Sequence, residues 1–381
     1  MQFSQLVHLP PALVQLRQMA AEDRMPHASL LQAPAGGGGL PAALALATYL
    51  LCEDRQAEDS CGVCRACRKS SKWVHPDLHF AFPTVGTNVV SDSLLAEWRQ
   101  ALANQPYQEA NDWLQAIGAE NKQGNLNKEE CAAIIRKLSL KIFEGRYKIM
   151  LIWLPEYLGN EGNRLLKMIE EPPPQTIFLL VSERPELILN TILSRCQLSK
   201  LGAPDQEAVA QWLADRGTSP DGAAMAARLS GGNVQRALRL GENEDVDHGR
   251  RFLTWMRNCH SGSPTKLVEW TNDFAGLGRE NQKEFLRYAL HFWREFLQLR
   301  VCGPDVANLR LGPAEVQTAQ KMAQLIDLDQ LDQIVGVVND CIEQVERNAH
   351  PKILFMHASL QLHKILRKPR AAKIAVPQRT A

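Results

Sequence analysis

Long apolar runs, an excess of charge of one sign and a secretory leader pattern are all missing from this sequence of 381 residues. No stretch of about 18 apolar residues occurs, so we expect no transmembrane helix. The first ten residues, MQFSQLVHLP, show no cationic and apolar leader pattern. The formal net charge is +1, which gives no overall basic field that would attract nucleic acid. We therefore expect a cytoplasmic protein without membrane contact.

The number of cysteines is odd, whereas a complete disulfide framework requires an even number. Nine cysteines are present, and four of them cluster between positions 52 and 67. An odd number with one cluster favours a reducing compartment and a metal site over disulfides. Apolar residues make up 45% and charged residues 22% of the chain, so packed cores can form. The length allows two or three domains.

The chain is organised around a glycine loop within residues 30–52. A short apolar run leads into four consecutive glycines and then an alanine-rich helical pattern, the glycines being Gly36, Gly37, Gly38 and Gly39. This order is typical of a phosphate-binding P-loop. Such a loop needs Lys for the β/γ-phosphates and Ser or Thr for Mg²⁺, but Gly39 and Leu40 occupy those positions. Taken alone, the stretch is either a turn unrelated to nucleotides or a nucleotide site that lacks the side chains for binding phosphate and Mg²⁺.

The clustered cysteines have the spacing of a metal site, C-x8-C-x2-C-x2-C. They are Cys52, Cys61, Cys64 and Cys67. Two CxxC pairs that share a cysteine, together with a fourth cysteine nearby, can coordinate one zinc ion tetrahedrally. An iron–sulfur cluster and unligated thiols are the alternatives, although no further cysteine followed by proline completes the cluster pattern. Four thiolates leave no open position on zinc, so we expect a structural ion.

One predicted strand lacks the acidic residues of an active ATPase. Residues 148–154 form a continuous apolar run, as expected for a buried parallel strand. In an active P-loop ATPase such a strand ends in acidic residues that hold Mg²⁺. Here Trp153 and Leu154 take those places. Glu156 lies two residues further on, and we expect it at the surface.

Strand and helix patterns alternate up to about residue 200. A helix is expected over residues 160–171, stopped by three prolines, and a strand over 177–181. The alternation predicts an α/β domain with a parallel sheet. Residues 80 to about 128 are less regular and are interpreted as an inserted, partly helical segment. From about residue 204 the patterns are helical only, with a charged linker near residue 243.

Several motifs follow one another in a specific order. After the glycine loop and the cysteines come HPDL at 75–78 (interpreted as a turn fixed by proline), LLKMIEEPPP, LILNTILSRC at 187–196, and GGNVQRAL. This combination resembles the delta-prime subunits of bacterial DNA polymerase III clamp loaders. Those subunits are AAA+ proteins related to gamma/tau and to the small subunits of eukaryotic clamp loaders. The resemblance covers residues 1 to about 240 by motifs and the C-terminal helices by pattern.

The resemblance implies three domains and a tail. Residues 1–202 would form an α/β AAA+ domain with a parallel sheet, a degenerate P-loop, a four-cysteine zinc module at 52–67 and the insertion at about 80–128. A small helical lid would span 203–242. An all-α collar domain, which joins subunits in a ring, would span 243–367. Residues 368–381 would be a disordered basic tail.

The resemblance also implies a role without intrinsic ATP hydrolysis. Such subunits work with gamma/tau and delta in a hetero-pentamer that loads the sliding clamp onto primer–template DNA, as part of a DNA polymerase holoenzyme. The SRC motif of the family falls on Ser194, Arg195 and Cys196. Its arginine would reach ATP on the neighbouring subunit as an arginine finger in trans. Arg236 falls at the sensor 2 position, where we expect a structural role rather than nucleotide binding.

Other functions remain open on the residues alone. An active ATPase of the gamma/tau type would need a cation in place of the missing lysine. A zinc-ribbon protein that binds nucleic acid would show affinity that falls steeply with salt, which the near-neutral charge disfavours. Arg195 could also be a surface arginine that follows a strand and has no role in catalysis.

Overall fold

The computed structural model of the protein describes residues 1–119, 122–242, 248–303, 309, 311–347 and 349–367. The chain divides into two compact units, Met1–Asn243 and Glu244–Ala381. The linker expected near residue 243 lies partly outside the described residues, and the basic tail at 368–381 lies entirely outside them.

The first unit is built on a five-stranded sheet with the order β2-β3-β4-β1-β5. The strands are β1 Ala28–Gln32, β2 Leu78–Ala81, β3 Lys148–Trp153, β4 Thr176–Ser182 and β5 Gln197–Lys200. All neighbours are parallel, and Leu180 of β4 pairs with Leu30 on one side and Ile152 on the other. β3 and β4 are buried over their whole length, because helices cover both faces of a parallel sheet. The predicted α/β architecture is confirmed.

Helices pack on both faces of this sheet. In chain order they are α1 Pro11–Ala21, α2 Gly39–Leu51, α3 Arg65–Ser70, α4 Leu95–Asn104, α5 Ala110–Ala116, α6 Lys128–Ser139, α7 Leu166–Glu170 and α8 Asn190–Leu193. Every residue of α2 is buried, in the apolar cluster that covers one face. α6 packs on the other face through Ile134 and Leu138. The glycine loop lies beyond the carboxyl end of β1, where open α/β sheets bind ligands.

Two expectations about these elements are wrong, and one strand was not predicted. Residues 80 and 81 belong to β2, so the sheet extends into the segment interpreted as an insertion. The sequence pattern does not predict β5, which is exposed at all positions but Ser199 and therefore carries no apolar run. The helix expected over 160–171 is mostly a 3-10 helix, Pro155–Leu165, broken at Gly159, and only Leu166–Glu170 is α-helical.

The segment at about 80–128 packs into the core of the first unit. Trp98 and Trp113 are fully buried. Trp98 stacks on Phe82 with ring centroids 4.3 Å apart and lies 5.2 Å from Trp153. Trp113 meets Trp98 edge-on at 5.1 Å, and its indole N–H donates to the Pro83 carbonyl at 2.7 Å. This aromatic cluster fixes α4 and α5 beside the end of β3.

Three short helices end the first unit, and we call them the lid. They are α9 Gln206–Ala214, α10 Pro220–Ser230 and α11 Val234–Glu242. The Asp205 and Ser219 side chains cap α9 and α10 by accepting backbone N–H groups, a common start signal. The lid shares a small apolar core with Tyr107 of the segment at 80–128.

The second unit is helical, as expected for the C-terminal region. Its helices are α12 His248–Ser261, α13 Pro264–Ala275, α14 Arg279–Cys302, α15 Pro313–Ala323, α16 Leu328–Glu346 and α17 Pro351–Leu366. Its core is aromatic: the rings of Trp255 and Trp270 stack 5.2 Å apart, and Phe274 lies 4.6 Å from Phe285. In the part of the chain that the structure describes, no helix combines the length and apolarity needed to cross a membrane.

Candidate functional site

The glycine loop keeps the backbone frame of a phosphate-binding loop. Gly36 and Gly38 have φ values of 62° and 103°, a left-handed conformation that other residues rarely adopt. Helix α2 begins directly at Gly39. The turn from strand to helix is therefore present without the lysine and hydroxyl side chains that bind phosphate and Mg²⁺.

The space over this loop is closed. The cavity lined by Gly36, Gly38 and Gly39 measures about 10 Å³, roughly the minimum that holds one water molecule. A Cβ on Gly39 would lie 2.9 Å from the Cβ of Ala33. A lysine at this position would therefore require a backbone shift, because neither atom can rotate away. Trp153 is 1% exposed and lies on the cavity wall.

A carboxylate, not a cation, faces this cavity. Glu183 lines it, and no lysine or arginine among the described residues does. Burial, followed by the charges of Glu156 and Glu109, raises the pKa of Glu183 to about 7. A phosphate here would lose the charge-assisted hydrogen bonds of a P-loop, each worth roughly 1.5–3 kcal/mol, and would face a carboxyl group in place of a cation. The electrostatics therefore oppose nucleotide binding.

Glu156 is buried, which corrects the surface position expected from the sequence. It is 9% exposed, and its carboxylate accepts the backbone N–H groups of Glu183 and Arg184 at 3.1 and 3.2 Å. Burial raises its pKa. Leu154, just before it, has a φ of 58°, which turns the chain after β3. Glu156 consequently ties the end of β3 to the segment after β4.

The lid contacts the glycine loop directly. The backbone N–H of Val234 donates to the Gly36 carbonyl at 2.9 Å, and a Cβ on Gly36 would collide with the Asn233 side chain. Arg236 is partly buried in α11, and its backbone N–H donates to Asn233 Oδ1 at 2.8 Å. Arg236 does not line the cavity. The structure thus brings α11 to the loop without placing this arginine on the cavity wall.

The four clustered cysteines come together. Their Sγ atoms all lie within 4.8 Å of one another, with 4.0 Å between Cys52 and Cys64 and 4.0 Å between Cys61 and Cys67. Four sulfurs about 2.3 Å from one tetrahedral zinc ion would be roughly 3.8 Å apart. All four thiols are free of disulfides. The set could therefore hold one metal ion.

Backbone N–H groups point at these sulfurs. Those of Cys61, Cys64 and Cys67 donate to the preceding cysteine of the cluster at 3.3 to 3.4 Å. Burial opposes the thiolate form, but the backbone N–H groups of Val63 and Cys64 lower the pKa of Cys61 to about 7. Burial raises the pKa of Cys52 and Cys67. The fit to a ligand set therefore rests on the close sulfurs and their backbone N–H donors.

Arg195 lies at the surface after α8. Its side chain is 32% exposed. Its guanidinium donates to the Glu170 carboxylate at 3.2 Å, to the Thr191 carbonyl at 2.8 Å and to Ser194 Oγ at 3.3 Å. Ser194 is exposed and Cys196 is half-buried. The arginine is thus oriented by its own chain and remains partly accessible.

The HPDL motif holds a structural residue that sequence reasoning missed. Asp77 is 2% exposed and accepts the backbone N–H groups of Phe143, Glu144 and Gly145 at 2.7, 2.9 and 2.7 Å. Burial works against the charged form, yet these three bonds hold the pKa of Asp77 below its usual value. The donors lie 66 to 68 residues further along the chain, so local spacing gives no signal of the contact.

The fold and this site define a class of protein. A parallel sheet in this strand order, a glycine loop after β1 and a helical lid are those of an AAA+ protein whose nucleotide-binding side chains are missing. Residues 9–205 match the family described as "DNA polymerase III, delta subunit". This match covers more than half of the chain, and the chain belongs to that family.

Two relatives found by sequence agree with this membership. The subunit delta' of DNA polymerase III from Escherichia coli (strain K12) is 30% identical over 223 residues, 58% of this chain and 55% of that protein. The subunit delta' from Bacillus subtilis (strain 168) is 28% identical over 250 residues, 65% of this chain and 64% of that protein. The alignments thus span somewhat more than half the length of these relatives. A solved gamma subunit-related protein from Thermotoga maritima has a TM-score of 0.42 at 13% identity, covering 93% of this chain and 100% of that chain.

Proposed function

We propose that the chain is a non-catalytic, delta-prime-type subunit of a DNA polymerase III clamp loader. It would assemble with gamma/tau and delta subunits in a hetero-pentamer, through the helical region at 243–367 acting as a collar. The complex would load the sliding clamp onto primer–template DNA. The observation that carries the proposal is the closed, acidic pocket at the glycine loop, in a chain of this family.

Arg195 would be the residue that acts on ATP held by a neighbouring subunit. Its accessible position after α8 supports a contact across an interface, and Glu170 orients the guanidinium. A guanidinium near the γ-phosphate stabilises the charge that builds up during phosphoryl transfer, and such fingers are worth about 10³ to 10⁵ in rate. Ser194 and Cys196 would frame the arginine without contacting the nucleotide.

The cysteine module would hold one structural zinc ion through Cys52, Cys61, Cys64 and Cys67. Zinc bound by four thiolates has no open coordination position and supplies cross-linking of the chain rather than catalysis. The module lies between α2 and β2, so the ion would fix the connection that leads from the glycine-loop helix to the sheet edge.

The test of Arg195 uses a complex reconstituted from this chain, gamma/tau and delta. We expect Arg195→Ala to lower the ATPase activity stimulated by clamp and primed DNA by about 10-fold or more, with normal assembly by size-exclusion chromatography. Arg184→Ala, which removes another exposed arginine of the same unit, serves as the matched control and should leave the rate unchanged. Full activity of the Arg195→Ala complex would refute the role given to this residue.

A measurement of ATP binding by the isolated chain distinguishes the proposed non-catalytic subunit from an active ATPase of the gamma/tau type. The small cavity and the carboxyl group of Glu183 on its wall disfavour the latter. Titration calorimetry with Mg²⁺ and ATP should give no heat of binding for the isolated chain. Tight, Mg²⁺-dependent binding would favour the ATPase alternative.

A further inference from the structure

An aromatic side chain fills the space between the glycine loop and the lid. Tyr107, in the segment at about 80–128, is 3% exposed. Its Cε1 atom would lie 3.3 Å from a Cβ on Gly38. Its hydroxyl accepts the backbone N–H of Val7 at 2.8 Å, and its ring meets Trp212 of α9 edge-on at 5.6 Å. One tyrosine therefore touches the N-terminal segment, the glycine loop and the lid.

Two carboxylates that follow Tyr107 bind the lid from the same side. Glu109 Oε1 accepts from the Asn233 side-chain amide at 2.5 Å. Asn233 in turn packs against Gly36, next to the hydrogen bond between Val234 and the Gly36 carbonyl. Asp112, in the first turn of α5, forms an ion pair with Arg239 of α11. Asn233 and Arg239 of the lid thus bind acidic side chains of the segment at about 80–128.

In a competent P-loop protein this loop holds the phosphates of a nucleotide through its backbone N–H groups. Here a phenol ring lies against the loop, Glu109 binds Asn233 just before α11, and Asp112 pairs with Arg239 in the last turn of α11. The 10 Å³ that remain leave no room for a second ligand. We propose that residues 105–112 are an intramolecular ligand of the degenerate nucleotide pocket, which holds the lid on the α/β domain in place of a nucleotide. The inference concerns this pocket alone and does not rest on the role of Arg195.

The experiment measures amide hydrogen exchange of the full chain, because lid opening exposes the Val234 amide that is bonded to the glycine loop. Asp112→Arg and Arg239→Asp, each alone, place like charges together. We expect about tenfold or faster exchange at Val234 in each variant. The double variant restores opposite charges and should recover slow exchange. The amides of β3 and β4 report the integrity of the fold and should be unaffected in all variants.

A pair of carboxylate substitutions and an addition of nucleotide complete the test. Glu97→Gln removes an exposed carboxylate of α4 in the same segment and should leave Val234 exchange unchanged, whereas Glu109→Gln should accelerate it. Addition of Mg²⁺ and ATP to the unmodified chain should not slow lid exchange, because the pocket is already filled. Unchanged Val234 exchange in both charge-reversal variants, or slower lid exchange with ATP, would overturn the proposal.

Discussion

Glu156 is buried and Glu183 is partly buried, and both lie near a loop that in a competent P-loop protein receives phosphate. Neither has a cationic partner on the cavity wall, and each has a raised pKa whose main cause is burial. The cost of burying Glu156 is offset in part by the backbone N–H groups of residues 183 and 184, which donate to its carboxylate. The loss of phosphate chemistry thus involves the surroundings of the loop as well as Gly39 and Leu40.

The raised pKa of Glu183 makes the stability of the protein depend on pH. In the folded state the pKa is about 7, against a usual value of 4.5, so the folded protein binds this proton more tightly. The stabilisation is complete below about pH 4.5 and is lost as the pH rises to about 7. Glu183→Gln should therefore exceed the free energy of unfolding of the unmodified protein by about 1–3 kcal/mol at pH 8 and by about a quarter of that at pH 5.

Urea denaturation at both pH values checks this expectation. Glu186→Gln, which alters an exposed carboxylate close to Glu183, is the matched control and should shift neither value. A difference between Glu183→Gln and the unmodified protein that is the same at pH 5 and pH 8 would contradict the assigned titration.

The cysteine module is short and has little apolar core of its own. Val63, in its middle, is 68% exposed, and α3 has only six residues. Short helices are marginal in water without tertiary support. Metal coordination is the cross-link that such an element can use, since structural zinc contributes roughly 10 kcal/mol of apparent folding free energy in small domains.

Removal of the metal should therefore destabilise the protein measurably. We expect about one zinc ion per purified chain by elemental analysis, and a lower melting temperature after chelation that zinc, but not magnesium, restores. Cys64→Ser should bind zinc weakly and melt earlier. Cys302→Ser, at an exposed cysteine of α14, should behave like the unmodified chain. One equivalent of iron with sulfide in place of zinc would instead identify an iron–sulfur cluster.

The chain as a whole consists of two units with separate cores. The first contains the sheet, the cysteine module and the lid, and its elements are held by contacts between residues far apart in sequence, such as Glu109 with Asn233. The second has its own aromatic core around Trp255 and Phe285. A unit with a complete core can fold by itself.

Expression of residues 1–242 alone should test this independence. We expect this fragment to be folded, to unfold in one cooperative transition and to bind zinc like the full chain. It should fail to assemble with gamma/tau and delta, because the proposed collar is missing. A fragment that is unfolded with zinc present would show that the second unit is required for the core of the first.

Much of the fold could be predicted from residue types and from the spacing of apolar residues along the sequence. The sequence predicted the parallel sheet because continuous apolar runs alternate with helical patterns, and β3 and β4 occupy those runs. It failed for β5, where three of four residues are exposed, and for residues 155–165, where Gly159 breaks the helix and a 3-10 helix replaces it. Edge strands and 3-10 helices have only weak periodic patterns of apolar residues in the sequence. Whether they form therefore depends on the structure packed around them.

The sequence was enough to show that the lysine, hydroxyl and acidic residues of a P-loop ATPase are missing. It was also enough to show the four-cysteine spacing. Both kinds of site require particular side chains at fixed local intervals. The filling of the pocket could not be predicted from the sequence. Tyr107 contacts Val7 across 100 positions, and Asp112 meets Arg239 across 127. Such contacts depend on how the lid packs on the sheet, and burial then decides which carboxylates hold their protons. The sequence therefore predicted a loop that lacks the side chains for binding phosphate and Mg²⁺, and the tertiary structure decided that Tyr107 of the same chain packs against it.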